Sequence, residues 1–146
     1  MIKDLYMGLC EALKGVDEVE YVDLWNQNVE FIQEDKPFPM PAVFIEFGEM
    51  VWKEIRTNSS GRLWRATVSV TLHIVTQWAG STDSEAPDRE KSLEYLDIPE
   101  LVLAAVNGLS GDGFSGMQLQ GTIVNHNHEE IVDSIEMYRV SCERTL

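Results

Sequence analysis

The run Asn125-His126-Asn127-His128-Glu129-Glu130 packs ligand-type side chains closely in sequence. On a strand, residues two apart point to one side, so His126 and His128 would present both imidazoles to a single face, a geometry that suits zinc or another divalent ion. A catalytic metal would need a third protein ligand, from Glu130, Asp133 or His73. Polar residues turning between two strands account for the same letters, and that reading is preferred. No metal and no cofactor is expected, and His126 and His128 stand as the candidates should one bind.

His73 falls on the polar side of a strand and is expected to face solvent or a partner. No serine, cysteine or carboxylate lies at a motif distance in sequence to make it a general base. The glycines at 108, 111, 113 and 116 lack the strand–GxxxxGK–helix setting of a phosphate loop. The acidic pairs Glu18/Glu20 and Glu129/Glu130 read as solvated charges. With no strong catalytic motif in the chain, the protein is not expected to be an enzyme.

The elements that would position these residues begin with Arg62 to Thr76, RLWRATVSVTLHIVT. Trp64, Ala66, Val68, Val70, Leu72 and Ile74 alternate with Arg65, Thr67, Ser69, Thr71 and His73, which predicts a long strand with one buried and one wet or partner-covered face. At about 3.4 Å per residue it would run about 50 Å, longer than most strands and suggestive of an assembly role. Lys36-Pro37-Phe38-Pro39-Met40-Pro41 reads as a rigid extended lead-in. From Ala42, the residues Val43, Ile45, Phe47, Val51 and Ile55 share a parity interrupted by Glu49 and Lys53. Thr57-Asn58-Ser59-Ser60-Gly61 is turn chemistry, so a hairpin pairing 42–56 with 62–76 is predicted, its outer half projecting past the core.

Two amphipathic helices are expected to cover one face of the sheet. The first spans residues 2–14, with Ile2, Leu5, Tyr6, Leu9, Ala12 and Leu13 on one stripe and Gly15 as a stop. The second spans about 97–109, with Ile98, Leu101, Val102, Ala105, Val106 and Leu109 as its stripe. Asp97 and Glu100 have capping-box spacing there, and Gly108 with Gly111 closes it. Glu18 to Trp25 suggests a short strand. Gly80 to Arg89 has loop composition, Gly111 to Gly116 reads as a flexible connector, and strands follow at about 117–125 and 132–143. The fold class is α+β, a single domain over 1–146 with a mainly antiparallel sheet.

Composition narrows the function. The chain has 146 residues, 44% hydrophobic and 25% charged, which is ordinary for one globular domain. Its 25 acidic and 11 basic side chains leave a net charge of −14. Nucleic-acid binding relies on Lys and Arg against phosphate, so neither that nor adhesion to an anionic membrane is expected. No apolar run approaches the roughly 20 residues of a membrane span, and the N-terminal stretch reads as a helix, not a signal peptide. Cys10 and Cys142 lie in no CxxC or Cys/His cluster and are expected to be free thiols in a reducing compartment, with a bridge between them the alternative.

Trp25, Trp52, Trp64 and Trp78 fall at strand ends or in the long hairpin. Trp52, Trp64 and Arg65 are expected to lie close together, with Arg56 and Arg62 nearby. Trp and Arg are enriched at interface hot spots, so these five are the candidate interface residues.

The order of elements resembles the tail-terminator and tail-completion, or head–tail joining, proteins of tailed phages and prophages. The residues that carry the likeness are an N-terminal helix, the proline-led strand PMPAVFIEFGE, the strand VSVTLHIVTQW, the helix IPELVLAAVNGL and a closing pair ending YRVSCERTL. The resemblance implies a non-enzymatic α+β protein without cofactor that forms a homo-oligomeric, hexameric ring between tail tube and head connector. Its partners would be copies of itself, tail-tube and connector proteins. It would assemble in the host cytoplasm and reside in the tail or neck of the virion. The loop at 79–90 and the hairpin tip at 56–62 would be docking elements, and an acidic ring would let DNA slide through. The alternatives are a metal-dependent enzyme or ligand-binding module centred on His126 and His128, and a monomeric adaptor domain.

Overall fold

The computed structural model describes residues 1–26, 38–58, 61–77, 82–128 and 131–146, with only the backbone at 58 and 126–128. Five strands form one sheet: β1 (Tyr21–Leu24), β2 (Ala42–Asn58), β3 (Gly61–Gln77), β4 (Phe114–His128) and β5 (Ile131–Thr145). Their spatial order is β1-β2-β3-β5-β4. β1 lies parallel to β2 and every other pairing is antiparallel, so the sheet is mixed. The α+β class, the long hairpin and the two amphipathic helices stand as the sequence predicted.

Helix α1 (Ile2–Lys14) buries Leu5, Leu9 and Leu13, one residue per turn along a single stripe. After it come a one-turn helix α2 (Arg89–Ser92), a 3-10 turn (Glu94–Leu96) and α3 (Ile98–Val106), which buries Ile98, Val102 and Val106. Both stripes pack on one face of the sheet, against Val43 and Ile45 of β2, the even residues Ala66 to Ile74 of β3, and Tyr138, Val140 and Cys142 of β5. The expected capping box is not formed. Asp97 continues the 3-10 turn in helical conformation, so its side chain makes no cap hydrogen bond. Gly108, at φ +74, lets the chain leave α3, and its N–H donates to the Met117 carbonyl at 2.7 Å.

Four further expectations are corrected. β2 changes parity at a bulge between Phe47 and Met50, so Met50 and Trp52, not Val51 and Ile55, continue the helix-side row. Val51 and Ile55 are left 67% and 50% exposed. The outer hairpin is not a free arm: β5 pairs with β3 as far as Leu63↔Thr145, and Arg62 and Leu146 exchange backbone hydrogen bonds of 3.1 and 3.0 Å. Gly111 to Gly116 is no loose connector, because Gly111 bridges to Phe114 where β4 begins. The Cys10–Cys142 alternative also falls, since both thiols are free and Cys142 is buried. The lead-in contains a cis Met40–Pro41 bond, and its earlier residues at 36–37 lie outside the described residues, as does Trp78.

Candidate functional site

On the face of the sheet away from the helices, Ala42, Phe44, Val75 and Ile131 form a second, smaller apolar cluster. Tyr21, Trp25, Phe38 and Met40 pack over it. The parity that puts Phe44 here also puts Glu46 here, and likewise His73 with Val75 and Asp133 with Ile131. His73 sits opposite Phe44 on one side and Ile135 on the other, so Glu46 and Asp133 are its diagonal neighbours across two strand pairs.

This register makes a three-residue ionisable cluster at the centre of the sheet. His73 Nδ1 lies 3.2 Å from Asp133 Oδ2, and Nε2 lies 2.7 Å from Glu46 Oε2. The indole of Trp25 stacks on the imidazole with ring centroids 3.7 Å apart and planes 6° from parallel. His73 is only 6% exposed and Asp133 4%, whereas Glu46 reaches solvent. The expectation of a solvent-facing or interface histidine is therefore overturned. Covering by β1 and Trp25 turned a polar-side position into a buried one.

Burial of His73 opposes protonation, but hydrogen bonds to Asp133 and Glu46, with their negative charges, outweigh it and raise the imidazole above its ordinary range. In the imidazolium both ring nitrogens donate, which matches a carboxylate at each. The stacked indole presents its negative π face to that cation. Since both nitrogens are occupied, neither is open to take a proton from an incoming group. As built, the cluster ties β2, β3 and β5 together through charge.

The raised value has a sign for stability. The unfolded histidine titrates near about 6.5, so the contribution of His73 is complete below that pH and is lost as pH rises through its higher folded value. Burial also raises the Glu136 carboxyl, although the Thr122 hydroxyl donating to it at 2.7 Å acts the other way. Its effect on stability has the same sign, beginning in the lower carboxyl range. Comparison with His73→Gln isolates the histidine. The urea midpoint of the wild type is expected to fall relative to this variant as pH is raised above about 6.5. Parallel curves would show that the imidazole carries no linked charge.

The five candidate interface residues do not form one patch. Trp52 stands opposite Ala66 and diagonal to Trp64, and both indoles are half-buried on the helix side. There the Arg144 guanidinium lies 4.2 Å over the Trp52 ring, and Arg62 pairs with Glu54 at 3.8 Å. Arg65 points to the other face, where its Nε donates to Glu143 at 2.8 Å. Arg56 is exposed beside the hairpin tip. His126 and His128 belong to β4, not to a turn, and their side chains lie outside the described residues. Among the described residues no three His, Cys, Asp or Glu side chains are grouped to hold a metal.

The sequence reading did not single out Glu46, and it named Asp133 only as a possible metal ligand and Trp25 only as a strand-end tryptophan. Their grouping with His73 was missed, although one signal was present. Asp133 sits within Ile131-Val132-Asp133-Ser134-Ile135, and a carboxylate inside a β-branched apolar run is rarely buried unless paired. Its partner could not be read locally, because His73 is 60 residues away and Glu46 is 27 from His73.

A single mixed sheet with helices on one face and an ion-paired aromatic patch on the other defines an α+β protein. The same fold occurs in a solved chain from the virion of a native gene transfer agent (GTA) particle. That likeness has a TM-score of 0.54 and 12% identity, and covers 96% of this chain and 95% of the other. At this identity the likeness is one of fold. No protein-family model and no curated protein matches the sequence. Among the described residues no helix is long and apolar enough to cross a membrane.

Proposed function

We propose that this protein is a structural component of a phage-like particle that completes the tail at its junction with the head, acting by assembly into a closed ring. The observation that carries the reading is the near end-to-end fold likeness to a chain of the gene transfer agent virion. The order of elements described from the sequence supports it, with the tail-terminator type of protein as the finer assignment. On this reading the protein is not an enzyme and requires no cofactor. Its partners are further copies of itself and the tail-tube and connector proteins, and it passes from the host cytoplasm into the virion neck.

The strand edges suit such a role. Beyond its four pairings with β1, β2 has no partner on its outer edge among the described residues, and β4 has none along its length. β4 departs from regular pairing at three places, which discourages indiscriminate edge pairing and leaves contacts to side chains. The test is light scattering after size exclusion over a wide concentration range, with negative-stain images of the largest species. A closed ring, hexameric or near it, is the expected result, alone or on tail tubes. A chain that stays monomeric alone and fails to join tubes would overturn the proposal.

A further inference from the structure

The charge of this chain is polarised along its sheet. Residues 49–58, 61–65 and 139–146, which run from one end of the sheet to its middle at Arg139↔Ser69, hold six basic and three acidic side chains. In a chain of net charge −14, these segments carry +3, which Asp112 beside them at the start of β4 reduces to +2. Their basic residues, Lys53, Arg56, Arg62, Arg65, Arg139 and Arg144, are all exposed. Residues 82–100, at the opposite end, hold seven acidic side chains and two basic ones.

Each end also offers apolar surface in a depression. On the face away from the helices, Val51, Lys53, Ile55, Arg65 and Thr67 line a shallow groove of about 320 Å³. Lys53 and Arg65 are direct cross-strand partners, and like charges placed so oppose each other. Arg65 is relieved by Glu143, whereas Lys53 has no ion pair among the described residues. At the other end, α2 and the 3-10 turn border a cleft of about 580 Å³, where Asp88, Glu94 and Glu18 outnumber Lys91 around Met40 and Ile98. Leu96 stands 49% exposed on the same turn.

Thr67 lines the groove and Thr76 the cleft, and the nine residue steps of β3 from one to the other span roughly 30 Å. The two surfaces therefore cannot meet within one subunit. We infer that they are the two halves of one contact between copies, the cationic groove of one subunit seating the acidic α2 and 3-10 edge of the next. This rests on the assembly reading above and adds the surfaces that would bring subunits together. Val51 and Ile55 would meet Leu96 at the centre of the contact, with Lys53 and Arg56 facing Asp88 and Glu94. Such a contact is heterologous, and repeating it produces a ring if the rotation closes. At about 0.15 M salt the Debye length is about 8 Å, so the overall negative charge repels weakly while pairs in contact persist.

The test is charge exchange in the full chain at that ionic strength, with association read by sedimentation and folding by circular dichroism. Lys53→Glu/Arg56→Glu and Asp88→Lys/Glu94→Lys each place like charges across the contact and are expected to weaken association at least about tenfold. The chain carrying all four substitutions, or an equimolar mixture of the two variants, restores the pairing and is expected to return to within about threefold of wild type. If rings persist in both variants, this contact is wrong and the assembly reading stands. If only the groove variant loses association, the groove serves a different acidic partner and the inference falls. If the four-fold variant stays monomeric, the two surfaces are not paired. A wild-type chain that never associates, alone or with tail tubes, removes the assembly reading and this contact together.

Discussion

Replacement of His73 by alanine is expected to destabilise the protein by about 3–5 kcal/mol, the usual cost of removing one partner from a buried ion pair. Asp133 makes the effect large. It is 4% exposed, its Oδ1 has no hydrogen-bond partner among the described residues, and its Oδ2 depends on His73. Without the imidazole the carboxylate would sit in the sheet unpaired, facing a hole beneath Trp25. The thermal midpoint should fall by roughly 10 °C. Asp133→Asn in the His73→Ala chain should recover a substantial part, since it removes the stranded charge. Glu46→Gln, at the solvent-facing end of the cluster, should cost about 1 kcal/mol or less. A His73→Ala loss below about 1 kcal/mol, or no recovery with Asp133→Asn, would show that the cluster does not hold the three strands together.

The second large effect is expected at Phe44. Its ring is fully buried and meets three others, with centroids 4.8 Å from Phe38, 6.0 Å from Tyr21 and 6.1 Å from Trp25. Phe44→Ala should cost about 3–5 kcal/mol from lost transfer energy and the cavity left behind. The loss would be local as well as global. β1 is held by four parallel pairings to β2 and by Tyr21 and Trp25 on this ring, so it should open before the central strands. Native-state hydrogen exchange reads this directly. The β1 amides of the variant should exchange far faster relative to those of β3 than they do in wild type. Unchanged relative protection would mean that backbone pairing alone secures β1.

These effects bear on the proposed role. Trp25, just past the end of β1, closes over a buried charge cluster, which braces one face of the sheet, while α1 and α3 brace the other. The sheet can then present its two ends and outer edges to neighbours without depending on them for its own core. The Cys142 thiol, raised by burial, and the Tyr6 hydroxyl, pushed up to about 12 chiefly by burial, add no reactive group at ordinary pH.

The limits of the sequence show most clearly in β2. Reading Val43, Ile45, Phe47, Val51 and Ile55 as one face required Glu49 and Lys53 to be exceptions. A bulge after Phe47 removes both, placing Met50 and Trp52 on the core side and freeing Lys53. Gly48 inside a strand pattern was the available signal, since glycine there often marks a bulge. Of the predicted cluster, Trp52 and Trp64 do share a face, but Arg65 does not join them: successive residues of one strand take opposite faces, so Arg65 could not share a side with Trp64.

By itself the sequence determined what rests on local periodicity: the α1 stripe at Leu5, Leu9 and Leu13, the α3 stripe from Ile98, the alternation of β3 and the glycine that ends α3. Those features follow from a period of 3.6 or 2 written into neighbouring residues. Tertiary structure alone decided that β3 is central, that β1 joins in parallel, and that the polar side of β3 is partly buried. His73 is the clearest case. Its face reads as polar, but whether that face meets water depends on which strands flank it and what covers them. Those neighbours come from distant parts of the chain, and only packing brings Glu46, Asp133 and Trp25 to one imidazole.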